Sequence, residues 1–285
     1  GATQQSSSAI EKTIEERLVL ADVEMRIMDL VNAPANYKRP QDLAAWAEAS
    51  ARTYNYKAKV LDKAACEEAG LHALLAVNRG SEDDARFIIL EYEGKNAPAG
   101  PPTALVGKGV TFDTGGLSIK GATNMHLMKS DMGGAAAVFG TMEAAAGLEL
   151  PLKLVGIIPA TDNSVDALSI KPSDVIQSYS GKTIEIIDTD AEGRLILADG
   201  LAYAQQQYAP AQLMSLATLT GSAVRTFGYH CAALFSKDEK LVEDLQAAGH
   251  QVGQRCWPLP TWDDYAASLN SDVADILNYS GKPIN

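Results

Sequence analysis

Two stretches near the start of the chain carry apolar residues at helical spacing. In residues 11–34, apolar side chains recur every three or four positions, as they do on one face of a helix. The segment VNAPANYKRP, residues 31–40, contains two prolines and interrupts this pattern. A second helical pattern follows at about 41–54. We therefore predict two helices that are separated by a short break.

Short apolar runs then alternate with further helical stretches. Strands are predicted near 56–60, 86–92, 103–107, 152–158, 183–187, 212–217 and 231–235. Helices are predicted near 63–76, 126–147, 192–207 and 238–251. This alternation is typical of an α/β domain with a mixed, largely parallel central sheet that is covered by helices on both faces. No linker divides the chain, so residues 1–285 are predicted to form one domain.

Ligands of open α/β sheets lie beyond the carboxyl ends of the strands, and the first loop at such a position follows 103–107. It contains VGKGVTFDTGGLSIKG from residue 106, and MKSDMGG follows from residue 128. Glycines with lysine after a strand can hold a phosphate, but neither phosphate-binding fingerprint fits. The chain has no GxxxxGK[ST], and Phe112 occupies the third glycine position of GxGxxG. A solvated, glycine-rich surface turn is the other interpretation.

The second such loop follows the predicted strand 183–187 and is acidic. In IEIIDTDAEGRLILADG, Asp188, Asp190 and Glu192 occupy alternate positions. Alternate side chains of an extended segment point the same way, so Asp190 and Glu192 are predicted to reach one cation. The spacing also partly fits an EF-hand calcium loop, but IEII predicts a strand where an EF-hand requires a helix. A solvated acidic turn is a further alternative.

Composition narrows the functional classes. The formal net charge of −12 argues against nucleic-acid binding, which requires a cationic face. Three widely spaced cysteines without a CxxC pair indicate a reducing, cytoplasmic compartment and no disulfide framework. Only four histidines occur and HExxH is absent, so a bound metal would depend mainly on carboxylates. The chain shows neither a membrane span nor a signal peptide at its start, GATQQSSSAI.

The two loops together resemble those of the leucyl aminopeptidase (cytosol aminopeptidase) family of metallopeptidases. VGKGVTFDTGGLSIK and MKSDMGGAAAV are followed by DTDAEGRLILADGLAYA, in the order that the family has. VNAPANYKRP, LLAVNRGSE and SLATLTGSAV add to the similarity, which extends from about residue 12 to the end. Two long, independent motifs in the expected order argue strongly against a chance match.

The resemblance implies a metal-dependent aminopeptidase that hydrolyses N-terminal residues, apolar ones such as leucine in particular. Its site would hold two divalent cations at the strand carboxyl ends, Zn²⁺ or Mn²⁺ first, with Mg²⁺ or Co²⁺ as other candidates. The implied metal ligands are Lys108, Asp113, Asp131, Asp190 and Glu192. The implied catalytic residues are Lys120 and Arg194, with a bicarbonate near Arg194. The implied substrate-binding residues are Lys120, Met128, Thr218, Thr220 and Gly221.

These residue types suit peptide hydrolysis. A lysine can bind a metal only as a neutral amine, and a dication beside Lys108 would strongly depress its pKa. Lys120 is expected to stay protonated and to face the developing oxyanion. Arg194 would hold the bicarbonate, which acts as the general base in the family. One metal would receive the free α-amine of the substrate, which favours an aminopeptidase over an endopeptidase.

The resemblance also implies which molecules the protein binds. The expected partners are peptides with a free N-terminus and other copies of the chain in a homo-hexamer, without nucleic acid or membrane.

The sequence also departs from the family's pattern, since Asp188 stands where the family commonly has asparagine. The family's N-terminal domain is absent and the chain stops at GKPIN, before the family's final strand and helix, so weak activity of this chain alone is expected. A non-catalytic or DNA-binding structural relative is the alternative, which the intact predicted ligands and the acidic balance disfavour.

Overall fold

The computed structural model describes residues 2–281, with side chains from residue 8 onward, so positions 282–285 of the GKPIN end lie outside the described residues. The helices are α1 (Ala2–Asn32), α2 (Pro40–Tyr54), α3 (Lys63–Ala69), α4 (His72–Asn78), α5 (Gly133–Gly147), α6 (Gly193–Tyr208), α7 (Gly221–Phe227) and α8 (Glu239–Val252). The strands are β1 (Lys57–Leu61), β2 (Arg86–Glu93), β3 (Thr103–Gly107), β4 (Gly109–Asp113), β5 (Lys153–Asn163), β6 (Val175–Gln177), β7 (Thr183–Glu185), β8 (Gln212–Leu216), β9 (Ala232–Leu234), β10 (Cys256–Pro258) and β11 (Ile276–Leu277). Short 3-10 helices cover Ala35–Tyr37, Met125–Ser130 and Asp263–Leu269.

The central sheet has six strands. Five of them lie in the order β1-β2-β5-β3-β8, and β4 pairs with β5. The pairs β1·β2 and β2·β5 are antiparallel, whereas β3·β5, β4·β5 and β3·β8 are parallel. Parallel neighbours cannot be joined by a tight hairpin, so the connections between them cross over the sheet. The prediction of an α/β fold with a mixed, largely parallel sheet is confirmed.

Apolar side chains pack against both faces of this sheet. One core lies beneath α1, α2 and α5 and includes Leu43, Phe139 and Ile158. The other lies beneath α3, α4 and α6 and includes Leu74 and Ile196. Because both faces are covered, the central strand β5 is apolar along most of its length and does not alternate. The sheet is therefore a rigid platform for the loops at its carboxyl ends.

The chain bends between β3 and β4, and Lys108 is the residue at the bend. Its backbone N–H donates to the carbonyl of Leu216 in β8 at 2.9 Å, and its carbonyl accepts from the N–H of Ala135 in α5 at 2.9 Å. A Cβ on the preceding Gly107 would lie 2.6 Å from the carbonyl oxygen of Gly134. Glycine is therefore required where the strand approaches α5, and this packing fixes the backbone of Lys108.

Some elements differ from the sequence-based prediction. Residues 109–113 were predicted to be loop but form β4, because β5 continues to Asn163 and offers a pairing partner there. The helix predicted over 63–76 is divided at Gly70, whose φ of 81° ends α3. The helix predicted over 126–147 begins as a 3-10 helix and becomes α-helical only at Gly133.

The second acidic loop was expected to follow a strand of the central sheet, but it does not. Strand β7, which precedes it, belongs to a separate three-stranded sheet with the order β11-β7-β6. That prediction was wrong because a short apolar run does not reveal which sheet it joins. Helix α7 and strand β10 were not predicted. Within residues 2–281, every helix falls short of the length and apolar character that crossing a bilayer requires.

Candidate metal centre

The five residues predicted to bind metal converge at the carboxyl end of β4. Asp113 ends this strand, Asp131 precedes α5, and Asp190 and Glu192 lie just before α6. One carboxylate oxygen from each of Asp113, Asp190 and Glu192 lies within 4.8 Å of the other two. Lys108 connects Asp131 to this group, since its Nζ lies 2.6 Å from Asp131 Oδ2 and 2.8 Å from Glu192 Oε1. Residues that are far apart in sequence thus form one cluster.

Asp190 and Glu192 converge through a turn, and the extended geometry expected for them was wrong. The N–H of Ala191 donates to the carbonyl of Asp188 at 3.3 Å, and the N–H of Asp190 donates to Asp188 Oδ1 at 2.8 Å. Glu192 already has helical backbone angles, with φ −76° and ψ −35°. The turn and the start of α6 therefore orient the two carboxylates, in a way that strict alternation does not describe.

Burial makes these carboxylates costly to ionise. Asp113, Asp131 and Glu192 are 2%, 5% and 1% exposed. Burial raises the pKa of Glu192 to about 7 and that of Asp131 to about 6, although Lys108 opposes both shifts. The pKa of Asp190 is also raised, chiefly by burial. Several acids that are packed together away from water require positive charge among them.

Two lysines supply positive charge within the cluster. Lys120 Nζ lies 2.8 Å from Asp113 Oδ2 and also contacts Asp190, while Lys108 lies between Asp131 and Glu192. Burial alone would lower the pKa of each lysine. The adjacent carboxylates outweigh it, so the pKa of both ammonium groups is raised. Each ammonium therefore marks a position where the surrounding acids stabilise a cation.

The donor set also fits divalent cations. Asp131 Oδ2 and Glu192 Oε1 are buried, and no donor among the described residues meets either oxygen at a hydrogen-bonding angle, although Lys108 lies at ion-pair distance. Such oxygens are costly to bury unless a cation faces them. Carboxylate oxygens are hard ligands, which suit Mg²⁺, Mn²⁺ and Zn²⁺. The donor set of the cluster thus suits a metal site.

Arg194 lies in the first turn of α6, next to the carboxylates. Its Nε is buried and has no hydrogen-bond acceptor among the described residues. Burial lowers the pKa of its guanidinium, and the charges of Glu192 and Asp188 partly offset that shift. A buried guanidinium with an unpaired donor is suited to hold an anion, because its N–H groups match planar oxyanions.

Two residues that the sequence analysis did not single out join the two loops. Asn163, at the end of β5, donates to Asp113 Oδ1 at 2.9 Å and to the carbonyl of Thr189 at 3.1 Å. Thr189 Oγ1 donates to the carbonyl of Gly115 at 2.7 Å and accepts from the N–H of Ser118 at 2.8 Å. The parallel register places Asn163 directly beside Asp113. Correct pairing of β4 with β5 would therefore have revealed Asn163.

Of the other residues predicted to contact substrate, two lie beside the acids and two lie further along the chain. Thr218 reaches the centre, where its Oγ1 donates to Asp131 Oδ1 at 2.6 Å. Met128 is half-buried, and its carbonyl accepts from the N–H of Asp131 at 3.2 Å. Thr220 accepts a backbone N–H at 3.2 Å as the N-cap of α7, and Gly221 is the first residue of that helix. Thr218 and Met128 are thus next to the acids, whereas Thr220 and Gly221 lie further along the same loop.

A surface cavity of about 440 Å³ lies away from this centre, between α3, α4 and β6. Two of its cationic side chains are already paired: Lys63 lies 3.4 Å from Asp84 and Arg79 lies 3.9 Å from Asp174. This cavity is separate from the carboxylate cluster, and the acids that engage Lys63 and Arg79 lie outside its lining.

Solved structures share the fold of this chain. The bottromycin maturation enzyme BotP in complex with Mn is 37% identical and has a TM-score of 0.90, over 96% of this chain and 60% of that one. Leucyl aminopeptidase from Trypanosoma brucei in complex with bestatin is 32% identical and has a TM-score of 0.92, over 95% of this chain and 52% of that one. The match covers nearly the whole of this chain.

Sequence comparison leads to one family. A protein of Chlorobaculum tepidum named "Probable cytosol aminopeptidase" is 48% identical over 274 residues, which is 96% of this chain and 54% of that protein. A Nitrosomonas europaea protein of the same name is 46% identical over 283 residues, 99% of this chain and 56% of that protein. The chain thus spans about half the length of these relatives. The pattern described as "Cytosol aminopeptidase family, catalytic domain" matches residues 25–284, and the chain therefore belongs to the cytosol aminopeptidase family.

Proposed function

We propose that the protein is a metal-dependent aminopeptidase that hydrolyses N-terminal residues, including apolar ones such as leucine, from peptides with a free N-terminus. The observation that carries this proposal is the buried cluster of four carboxylates and two lysines at the end of β4. Membership of the cytosol aminopeptidase family supports it. Because the chain spans about half the length of its relatives, the proposal concerns the whole protein.

Two divalent cations per chain, Zn²⁺ or Mn²⁺ with Mg²⁺ or Co²⁺ as other candidates, would be held by Asp113, Asp131, Asp190 and Glu192 with Lys108. The four negative charges of these carboxylates balance the charge of two dications. Such a pair supplies Lewis acidity and lowers the pKa of water. The amine of Lys108 would join the ligands in its neutral form, because a neighbouring dication disfavours the ammonium.

Lys120 is proposed to remain protonated beside Asp113 and Asp190, without binding a metal itself. Its side chain is 23% exposed, more than that of Lys108 at 4%, so it is open to an entering peptide. From there it would stabilise the negative charge that develops on the carbonyl oxygen. Arg194, with its unpaired buried Nε, would hold a bicarbonate that accepts the proton from water.

The loop Thr218–Gly221 and Met128 are proposed to bind the substrate. Thr218 contacts Asp131 directly, and Met128 contacts it through the backbone, which supports a place for both beside the terminal residue of the peptide. Thr220 and Gly221, which follow in the same loop, would contact the peptide backbone. This assignment puts the first side-chain pocket at the Asp131 side of the cluster.

We further propose that residues 1–285 form a single catalytic domain of a cytoplasmic homo-hexamer. The continuous central sheet, with helices on both faces, supports one domain. The three cysteines are free, and the relatives are named cytosol aminopeptidases, which supports a reducing, cytoplasmic location.

Hydrolysis of leucine p-nitroanilide by the full-length protein, before and after metal removal, tests the proposal. We expect activity that a chelator abolishes and that Mn²⁺ or Zn²⁺ restores. A metal-loaded protein that leaves both leucine p-nitroanilide and leucine amide intact would support the alternative, a non-catalytic or DNA-binding structural relative. The net charge of −12 disfavours DNA, and no second observation favours that alternative.

A further inference from the structure

The carboxylate cluster has a closed end and an open end. At the closed end, the side chains of Lys108, Asp131 and Glu192 are 4%, 6% and 1% exposed. At the open end, the side chains of Lys120 and Asp190 are 23% and 34% exposed. Solvent therefore reaches the cluster from the side of Lys120 and Asp190.

This asymmetry orients a peptide, given the proposed aminopeptidase function on which the inference rests. An enzyme that removes only the terminal residue must hold the free amine where the chain cannot continue, which is the closed end near Asp131. The residues that follow the scissile bond must then leave through the open end, past Asp190. Any charge at that end therefore acts on the leaving part of the peptide.

Asp188 contributes such a charge, and its position is fixed. Its Oδ1 accepts from the N–H of Asp190 at 2.8 Å, so its carboxylate lies at the open end. The side-chain amide of Asn278 donates to the carbonyl of Asp188 at 2.6 Å, and its oxygen accepts from the N–H of Ile187 at 2.8 Å. Asp188 is half-exposed and forms no ion pair among the described residues. Its negative charge also acts on the guanidinium of Arg194, but the carboxylate is held in place and is open to a ligand.

We propose that Asp188 is a specificity-determining residue that favours peptides with a cationic side chain directly after the scissile bond and disfavours anionic ones. Two unit charges about 6 Å apart interact by about 0.7 kcal/mol in water and more strongly near a protein surface. Replacing a cationic side chain by an anionic one reverses the sign of this interaction. A difference of about tenfold in kcat/KM between the two peptides is therefore expected.

The test uses full-length, metal-loaded protein and the peptide amides Leu-Lys-NH₂, Leu-Gln-NH₂ and Leu-Glu-NH₂. Wild type should rank them Lys above Gln above Glu by kcat/KM. In Asp188→Asn, whose side-chain oxygen can still accept from Asp190, the Lys-to-Glu ratio should fall about tenfold while Leu-Gln-NH₂ changes less than about twofold. Raising the salt concentration should reduce the ratio in wild type, because exposed charges are screened.

Glu15→Gln is the matched control, because Glu15 is an exposed acid on α1 and its removal changes the net charge equally. This variant should retain the wild-type ratio. An unchanged ratio in Asp188→Asn, or an equal loss for all three peptides, would overturn the proposal and indicate that Asp188 only supports the turn. If wild type fails to hydrolyse even Leu-Gln-NH₂, the proposed aminopeptidase function itself fails.

Discussion

Asn163 Nδ2 lies 2.9 Å from Asp113 Oδ1, and the same amide group lies 3.1 Å from the carbonyl oxygen of Thr189. One buried side chain therefore holds a carboxylate of the first loop and the backbone of the second loop at the same time. Asn163 is 3% exposed, so water cannot easily replace it. The relative position of Asp113 and Asp190 depends on this link.

Replacing Asn163 by alanine is expected to weaken metal binding without removing a proposed ligand. Residues that orient metal ligands typically change metal affinity by about 10–100-fold when they are removed. Titration of metal-free protein with Mn²⁺ measures the change. Asn270→Ala, at an exposed position outside the centre, is the control and should bind as wild type does. Equal affinity in both variants would show that Asn163 does not position the site.

The two lysines are expected to respond differently to substitution. In Lys108→Arg the guanidinium stays protonated and cannot bind a metal, so metal content should fall. In Lys120→Ala the metals should remain, while kcat falls about 10²–10³-fold with little change in KM, as when one oxyanion donor is removed. Elemental analysis and steady-state kinetics on the same preparations measure both effects. Full metal occupancy in Lys108→Arg, or metal loss in Lys120→Ala, would falsify the assignment of roles.

Gly193 is expected to be essential because of its contact with Lys108. A Cβ at position 193 would lie 2.6 Å from Lys108 Cε and 2.8 Å from Lys108 Nζ, so Gly193→Ala should displace the amine and lower metal content. Gly121→Ala is the matched control, since a Cβ there meets nothing within 4 Å. Similar metal content in the two variants would contradict the proposed place of Lys108 among the ligands.

Lys38 provides a pH-dependent test of the fold. It is fully buried, its Nζ donates to the carbonyl of Val31 at 2.7 Å, and burial, with a smaller effect of Lys129, lowers its pKa to about 8. The unfolded chain has the ordinary lysine pKa of about 10.4 and binds more protons between these two values. The free energy of unfolding should therefore rise with pH through this window, and it should be lower as pH falls through about 8.

Comparison with Lys38→Met isolates this contribution, because other titrating groups are shared. From pH 7.5 to 9.5, urea denaturation should show the wild type gaining up to about 2 kcal/mol relative to Lys38→Met. Parallel curves for the two proteins would show that Lys38 titrates with an ordinary pKa.

Periodicity predicted most of the framework because burial on both faces of the sheet leaves a clear apolar pattern. The strand near 86–92 and the helix near 192–207 are examples, and they correspond to β2 and α6. The sequence did not show which strands pair with each other. Residues 109–113 lie in a glycine-rich segment, which is typical of a loop. They form a strand because β5 extends beside them. Asn163 could not be placed without that register.

The candidate site depended on a different kind of signal. Asp190 and Glu192 were singled out from their spacing, yet a turn and a helix start bring them together, which depends on tertiary contacts such as the bond from Thr189 to Gly115. The parts of the site from distant positions, Asp131 and Thr218 among them, became neighbours only in the fold. Spacing along the chain carries no information about such contacts.

We propose that the carboxylate cluster binds two divalent cations, with Asp113 and Glu192 among the residues that would hold them. Isothermal titration of Mn²⁺ into chelator-treated, full-length protein tests it most directly. We expect two ions per chain, with proton release as Lys108 becomes neutral, and a stoichiometry below two in Asp113→Ala. A single tightly bound ion in wild type, with a stoichiometry that Asp113→Ala leaves unchanged, would contradict it.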